Sequence, residues 1–376
     1  MNTERTLTTT LGLFAVLLAG PPLLAQAPAS QQVPQPVAQQ TGPGIQAPRD
    51  AKYRSYLQAN CKNPPAPAPA PPPRPLAATP PPHRQYTVVE IPGVIAAGAT
   101  WKTVRTDTGN NADGPIATPD GGVLFAQNSD SKVLKLDRDG VATFPYSGTN
   151  TGGALARSKQ GALFVLQRGL PQEIWQLEPK RQRLVSSYNG EPLDCAGGLL
   201  NDLTADSKGG VYFTMGGVYY SDAKGVVTHY GTLTGANGII LSRDEKTLYV
   251  TGRLATTPTP ATGPGPAAAE GRPGGLVAYD VQRDGALTTE RQFATVGADG
   301  TAIDDEGRLY STGGGGVQVL DPEGRLLGEI PSPLPLITVV FSGPDKKTLY
   351  GVANTQQYVE IFTIPMIAQG YKARAK

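Results

Sequence analysis

CAGGLLNDLTADSKGGVYFTMGGVYYSDAKGVVTHYGTLTGANGIILSRDEKTLYVTG, residues 195–252, decides how the rest of the chain is read. One pattern occurs in it twice. A short polar step comes first (LLNDL, then GANGI), a second polar turn follows (ADSKGG, then SRDEKT), and a β-rich run closes the copy (VYFTMG, then LYVTG). Asn201 and Asn237 stand at matching places, each just before an apolar step into its unit. A repeated strand unit carrying a repeated polar residue at one end is the sequence signature of a radial β-architecture.

The unit recurs outward in both directions, at 118–140, 158–182, 304–324 and 344–364, making six copies with the opening pair. Aligning Phe125, Phe164, Phe213, Tyr249, Tyr310 and Tyr350 spaces the copies by roughly 40 residues, the length of a propeller blade. Each copy alternates apolar and polar residues over short β-branched or aromatic runs bounded by Asp-Gly, Lys-Gly or Glu-Gly turns, and none holds a helical period. The widest gap, between Tyr249 and Tyr310, contains a Pro/Gly/Ala-rich insertion at 255–275, expected as a surface loop inside the fourth blade. The fold class expected is therefore all-β, a six-bladed β-propeller over residues 86–376. Six similar units argue against the alternative of a two-sheet sandwich. The run Tyr86–Ile91 is expected to pair with the last blade near Tyr358–Ile364 and close the ring.

In front of the propeller the composition changes. Residues 1–27 read as a signal peptide: Arg5 in the n-region, an apolar stretch from Leu11 to Leu24, and Ala25-Gln26-Ala27 as a cleavage site. The apolar run is too short and too proline-broken for a transmembrane helix. Residues 28–85 are Pro-, Ala- and Gln-rich and read as a disordered, polyproline-II linker, except that YRSYLQANC (53–61) suits a short helical turn. The protein is thus expected to be soluble and either secreted or periplasmic. Its net charge of +2 gives no case for nucleic acid or an anionic membrane surface. The two cysteines, Cys61 and Cys195, either form one bridge pinning the linker to the folded domain or remain two free thiols.

Most familiar chemistries are missing from the residues. There are two histidines, no G-x-S-x-G elbow, and neither H-E-x-x-H nor C-x-x-C. The run Gly313–Gly316 is followed by a strand, not by the helix N-terminus that a phosphate cradle needs. What remains is a set of oxygen-bearing side chains at blade beginnings: Asp113, Asn201, Asn237 and Asp299. Each precedes the polar turn of its unit by a similar distance, which places all four at one depth around a central channel. Any one alone would read as a turn residue capping the backbone. Four at one register suit a hard divalent cation.

With these residues the domain resembles the gluconolactonase/regucalcin (senescence marker protein) family of six-bladed propeller lactonases. The resemblance rests on A-D-G-P, N-D-L, G-A-N-G-I and A-D-G, with SRDEKTLYVTG and DDEGRLYSTGGGGVQVLDPEGRLLGEIP, and runs roughly from Asp113 to Thr363. It implies one divalent metal held by Asp113, Asn237 and Asp299, with Asn201 contacting substrate or completing the metal shell. Ca²⁺ is the first expectation, with Mn²⁺, Mg²⁺ or Zn²⁺ as alternatives. The function implied is hydrolysis of a small-molecule lactone or related ester, with Asp299 and Asn201 as catalytic residues and a water aligned by Asp299. The alternative is a non-catalytic propeller that binds a ligand or protein partner around a structural ion or none. Two departures stand out: the family usually has Glu where this chain has Asp113, and often Arg-Pro where it has Leu199-Leu200 before the N-D step. The second departure predicts an apolar pocket rim and a preference for uncharged lactones over polyhydroxylated ones. No partner chain or oligomeric state is indicated.

Overall fold

The computed structural model describes residues 51–65, 81–108, 111–254, 274–297, 299–355, 358–374 and 376. The expected signal peptide, much of the linker and most of the 255–275 insertion lie outside the described residues. The described residues all fall in one compact unit.

Among the described residues, six four-stranded antiparallel sheets make up the domain, with a short two-stranded ribbon of Ser187–Tyr188 and Glu191–Pro192 beside them. Blade one is Ala112–Ala117, Val123–Gln127, Lys132–Leu136 and Ala142–Ser147; blade two is Gly152–Arg157, Leu163–Gln167, Glu173–Glu178 and Gln182–Val185. Blade three is Leu203–Ala205, Val211–Thr214, Val218–Ser221 and Val227–Tyr230; blade four is Ile239–Leu241, Thr247–Thr251, Leu276–Val281 and Leu287–Ala294. Blade five is Thr301–Ile303, Leu309–Gly313, Gly316–Leu320 and Leu326–Pro331. Blade six joins Thr338–Ser342, Thr348–Thr355 and Tyr358–Pro365 to Lys102–Thr108 from the start of the domain. The expected six-bladed propeller is therefore the fold, and residues 255–273 fall between the second and third strands of blade four.

Two details of the sequence reading are corrected. The closing strand is Lys102–Thr108, paired with Tyr358–Pro365 from Lys102↔Thr363 to Thr108↔Tyr358. Tyr86–Ile91 forms no strand, only the single bridge Ile91↔Ile95, and its Val88 and Ile91 pack into the core against blades five and six. The aromatic alignment also slips by one residue in blade three. Asn201 N–H bonds to Thr214 O as Asn237 N–H bonds to Thr251 O, so Tyr212, not Phe213, matches Tyr249. A one-residue slip turns a side chain to the other face of its sheet.

The Asp-Gly signals work through a shared turn. Asp206, Asp222, Asp304 and Asp321 each use Oδ1 to accept the backbone N–H groups two and four residues on. That closes the hairpin at the cost of one left-handed residue, which is why glycine follows, as at Gly209 (φ 89°). Between blades, buried strands interlock into clusters such as Tyr212, Val218, Ile239, Leu248 and Tyr279. These clusters leave the ends of the innermost strands to carry function.

Within the expected disordered linker, residues 51–65 and 81–85 are structured. Ala51–Asn60 is a ten-residue helix, longer than the single turn expected, and it buries Tyr53 and Leu57. Cys61 is bridged to Cys195. His83 contacts Glu360, and the Arg84 guanidinium donates to Gly315 O and Ser332 O. Polyproline composition does not prevent docking where a short amphipathic segment and a cross-link interrupt it. At the other end, the segment after Pro365 runs across blades six, five and four. It is held by Ala368 N–H to Val94 O, Tyr371 N–H to Ile303 O, and Arg374 Nη1–H to Leu241 O.

Candidate functional site

Three of the four expected residues share one backbone position. Asn201, Asn237 and Asp299 each lie two residues before the innermost strand of blades three, four and five. Asn201 N–H donates to Thr214 O at 2.9 Å and Asn237 N–H to Thr251 O at 2.9 Å. The fourth, Asp113, departs from the expected equal offset. It lies inside its strand, opposite Ala126, where the register breaks before Ile116. The break is enforced at Gly114, which has φ 50° and whose missing Cβ would fall 2.3 Å from Ala154 Cα. The bulge re-aims Asp113, a common use of bulges beside functional sites.

Blade two supplies the residue that sequence reading missed. Arg168, one residue beyond the strand Leu163–Gln167, is 3% exposed. Its Nε–H donates to Leu200 O at 2.9 Å, and Nη2–H donates to Asn201 O at 2.6 Å and Asp113 Oδ2 at 3.2 Å. The guanidinium thus ties blade one to blade three across blade two. It passes over Gly153, where an added Cβ would fall 2.0 Å from Arg168 Nε. The signal in the sequence was the Gly152-Gly153 pair, which stands where blades three, four and five carry Asn201, Asn237 and Asp299. Half of the rim expected at Leu199-Leu200 is corrected at the same place, while Leu199 stays partly exposed. Leu200 is fully buried in the core between blades two and three, and its carbonyl, not its side chain, serves the site.

Beneath the ring lies a second unanticipated pair. Asp202 is buried and accepts Ile239 N–H at 3.1 Å through Oδ2, the oxygen that also meets Lys376 Nζ. Lys376 is 5% exposed, so the C-terminal segment delivers an ammonium into the molecule.

The electrostatics bring Asp299 into this group. Burial first, then the negative charges of Asp113 and Asp202, push its carboxyl well above the usual carboxylate range, with Arg168 and Lys376 opposing. Asp113 is also raised by burial, though Arg168 counters it directly. Asn237 Oδ1 is buried and has no hydrogen-bond partner among the described residues. A buried acceptor left unpaired costs about 1–3 kcal/mol unless a ligand completes it. Among the described residues no three His, Cys, Asp or Glu side chains gather as a metal-ligand set. The ring's donors are instead two carboxylates and two amides.

The architecture of the supporting loops reaches outward to the helix. Gln172 N–H donates to Asp194 Oδ2 at 3.0 Å, Leu200 N–H donates to Gln172 Oε1 at 2.7 Å, and the Tyr53 hydroxyl bonds Asp194. Leu170 packs with Tyr53, Leu57 and Cys61. The docked helix therefore rests on the two loops that carry Arg168 and Asn201.

Comparison with known proteins bears on the family and the fold. Residues 141–354 match the family model described as the SMP-30/gluconolactonase/LRE-like region. Lactonase drp35 of Staphylococcus aureus is 34% identical over 230 residues, covering 55% of this chain and 58% of that protein. Across the curated relatives first matched, the shared region spans between 34% and 58% of their length. A gluconolactonase structure from Xanthomonas campestris superposes with a TM-score of 0.58 at 24% identity, covering 72% of this chain and 90% of that one. The calcium-binding protein regucalcin from Agrobacterium tumefaciens superposes with a TM-score of 0.54 at 18% identity, covering 72% and 95%. At these identities the two structures bear on the fold alone.

Proposed function

This chain belongs to the SMP-30/gluconolactonase/LRE-like family, and on that premise we propose that it hydrolyses lactones or related esters at the ring of Asp113, Asn201, Asn237 and Asp299. The observation that carries the reading is the unpartnered, buried Oδ1 of Asn237 in a ring whose Asp299 carboxyl is crowded by two further carboxylates. Such a ring needs a positive or hydrogen-bonding guest.

A divalent cation fits that need. Asp113, Asn237 and Asp299 would hold it, with Asn201 completing the shell directly or through water; all are hard oxygen donors, as Ca²⁺ prefers. When bound, the ion would supply Lewis-acid polarisation of the ester carbonyl. The remaining work falls to the chain. Asp299 aligns the attacking water and takes its proton as the oxygen bonds to the carbonyl carbon. The ring C–O bond then breaks, and the proton passes to the departing alkoxide, leaving a hydroxy acid. Asn201, anchored through its carbonyl by Arg168, presents its amide to the substrate oxygen. Arg168 also fixes Asp113, so one guanidinium sets the spacing of both walls.

A second reading keeps the ring without turnover. Arg168 against Asp113 and Lys376 against Asp202 already offset part of the acidic charge, as suits a ligand-binding propeller. The test is hydrolysis of γ- and δ-lactones by protein stripped with chelator and then reloaded with Ca²⁺, Mn²⁺ or Mg²⁺. Activity lost and regained supports the hydrolase; tight cation binding with no turnover supports the binder. Export to a secreted or periplasmic location is part of the proposal. The Cys61–Cys195 bridge supports it, since disulfides persist in oxidising compartments. N-terminal sequencing of the mature protein tests it.

A further inference from the structure

We propose that Ile337 is a specificity-determining residue, an apolar wall of the ring that takes the alkyl substituent of a lactone. This rests on the hydrolase reading above. The sixth blade has the same backbone station as the others. Ile337 N–H donates to Val352 O at 2.8 Å, as Asn237 N–H does to Thr251 O and Asn201 N–H to Thr214 O. Its carbonyl is held as Asn237's is. Thr214 Oγ1–H donates to Asn237 O at 2.6 Å, and Thr312 Oγ1–H donates to Ile337 O at 3.0 Å. A threonine at the end of one blade's second strand therefore grips the ring residue of the next blade, in blades three to four and again in five to six.

Reading round the ring gives Asp113, Arg168, Asn201, Asn237, Asp299 and Ile337. Five polar groups converge, and blade six alone offers a hydrocarbon. Ile337 is half-buried and packs against the core between blades six and one, with Val340, Tyr350 and Val352. Asp113 and Asp299 belong to the two blades that flank it. A polar side chain at that station would add one more hydrogen-bonding group beside the carboxylates, suited to a substrate hydroxyl. Isoleucine cannot hydrogen-bond and leaves such a hydroxyl desolvated without a partner. An alkyl group seated there instead removes apolar surface from water, and each buried methylene is worth up to about a fourfold gain in binding. The chemical class indicated is a lactone carrying a short alkyl chain beside the ring oxygen, in preference to a polyhydroxylated lactone.

The experiment is a ladder of γ-lactones with substituents from methyl to hexyl, measured as kcat/KM. It is paired with calorimetric binding of the matching unreactive γ-lactams, on the parent, Ile337→Val and Ile337→Asn. The parent is expected to gain about two- to fourfold per methylene over the first few, in both kinetics and binding. Ile337→Val, which keeps the wall, should retain most of that increment. Ile337→Asn should flatten it, so that hexyl- and methyl-substituted lactones differ by no more than about twofold. A flat ladder in the parent, or a slope unchanged in Ile337→Asn, overturns the assignment while hydrolysis itself stands. If the parent turns over no lactone but binds the lactams with an increment that Ile337→Asn abolishes, the hydrolase reading falls and the apolar subsite survives. If it neither binds nor hydrolyses, both fall. Should Ile337→Asn fail to fold, a parent-like slope in Ile337→Ala, whose wall is gone, refutes the proposal in its place.

Discussion

Replacing both Cys61 and Cys195 by serine should destabilise the whole domain, because the bridge closes a loop with a sequence separation of 134. In the chain-entropy treatment, a cross-link over about that many residues removes enough freedom from the unfolded chain to be worth about 5 kcal/mol. For a domain of this size each kcal/mol moves the thermal midpoint by a few degrees at most, so the expected drop is about 10 °C. The structure adds a local consequence. The bridge holds the helix Ala51–Asn60, whose Tyr53 and Leu57 cover Leu170 and whose Tyr53 hydroxyl meets the fully buried Asp194. Without the bridge this docking should loosen first, and with it the loops at 168–172 and 193–200. The assay is calorimetric unfolding of the Cys61→Ser/Cys195→Ser protein, with hydrogen exchange read peptide by peptide. A midpoint within about 2 °C of the parent, with residues 51–60 as protected as before, would refute the claim that the linker is part of the folded unit. By the same logic, deleting the chain up to Arg84 should cost stability, whereas a free linker would be dispensable.

Gly153→Ala should push Arg168 from its path, since the new Cβ would fall 2.0 Å from Nε. We expect activity to fall on the order of 100-fold, with a stability loss of only about 1–3 kcal/mol; steady-state kinetics beside a melting curve separates the two. Asp120 is held down to about 2 by its hydrogen bonds from Lys135 and Thr118, against an ordinary value of 3.8. A depressed carboxylate stabilises the fold above its unfolded value and loses that contribution as pH falls from about 4 towards 2. The residue is largely exposed, so Asp120→Asn should cost no more than about 1 kcal/mol near neutrality, with the difference vanishing at the acid end of that window in denaturant titrations.

The fold was legible because one physical device, a hairpin closed by an Asp-x-x-Gly turn, recurs at Asp137, Asp206, Asp222, Asp304 and Asp321, and six repeated strand units leave few alternatives. Asn201, Asn237 and Asp299 were legible for the same reason, since their offset repeats with the strands. Asp113 was found by its residue type but not by its offset, which a bulge alters. Arg168 was hidden because its partners, Leu200 O, Asn201 O and Asp113, are more than 30 residues away in sequence or more. Asp202 and Lys376 were hidden by a still longer separation of 174. Ile337 drew no notice because an isoleucine before a strand is what a core predicts. The closing strand was misplaced because Tyr86–Ile91 has strand-like residues, yet Lys102–Thr108 pairs along almost the whole of the last strand.

The central claim is that the ring is where the chemistry happens, and Asn237→Ala tests it most directly. The side chain's Oδ1 has no partner among the described residues, so removing it breaks no hydrogen bond accepted by that atom. The measurement is kcat/KM for a simple alkyl lactone at saturating Ca²⁺, beside the thermal midpoint. The expected result is a loss on the order of 100-fold or more with a midpoint equal to or slightly above the parent's. A variant that hydrolyses the lactone at the parent's rate would place the chemistry elsewhere.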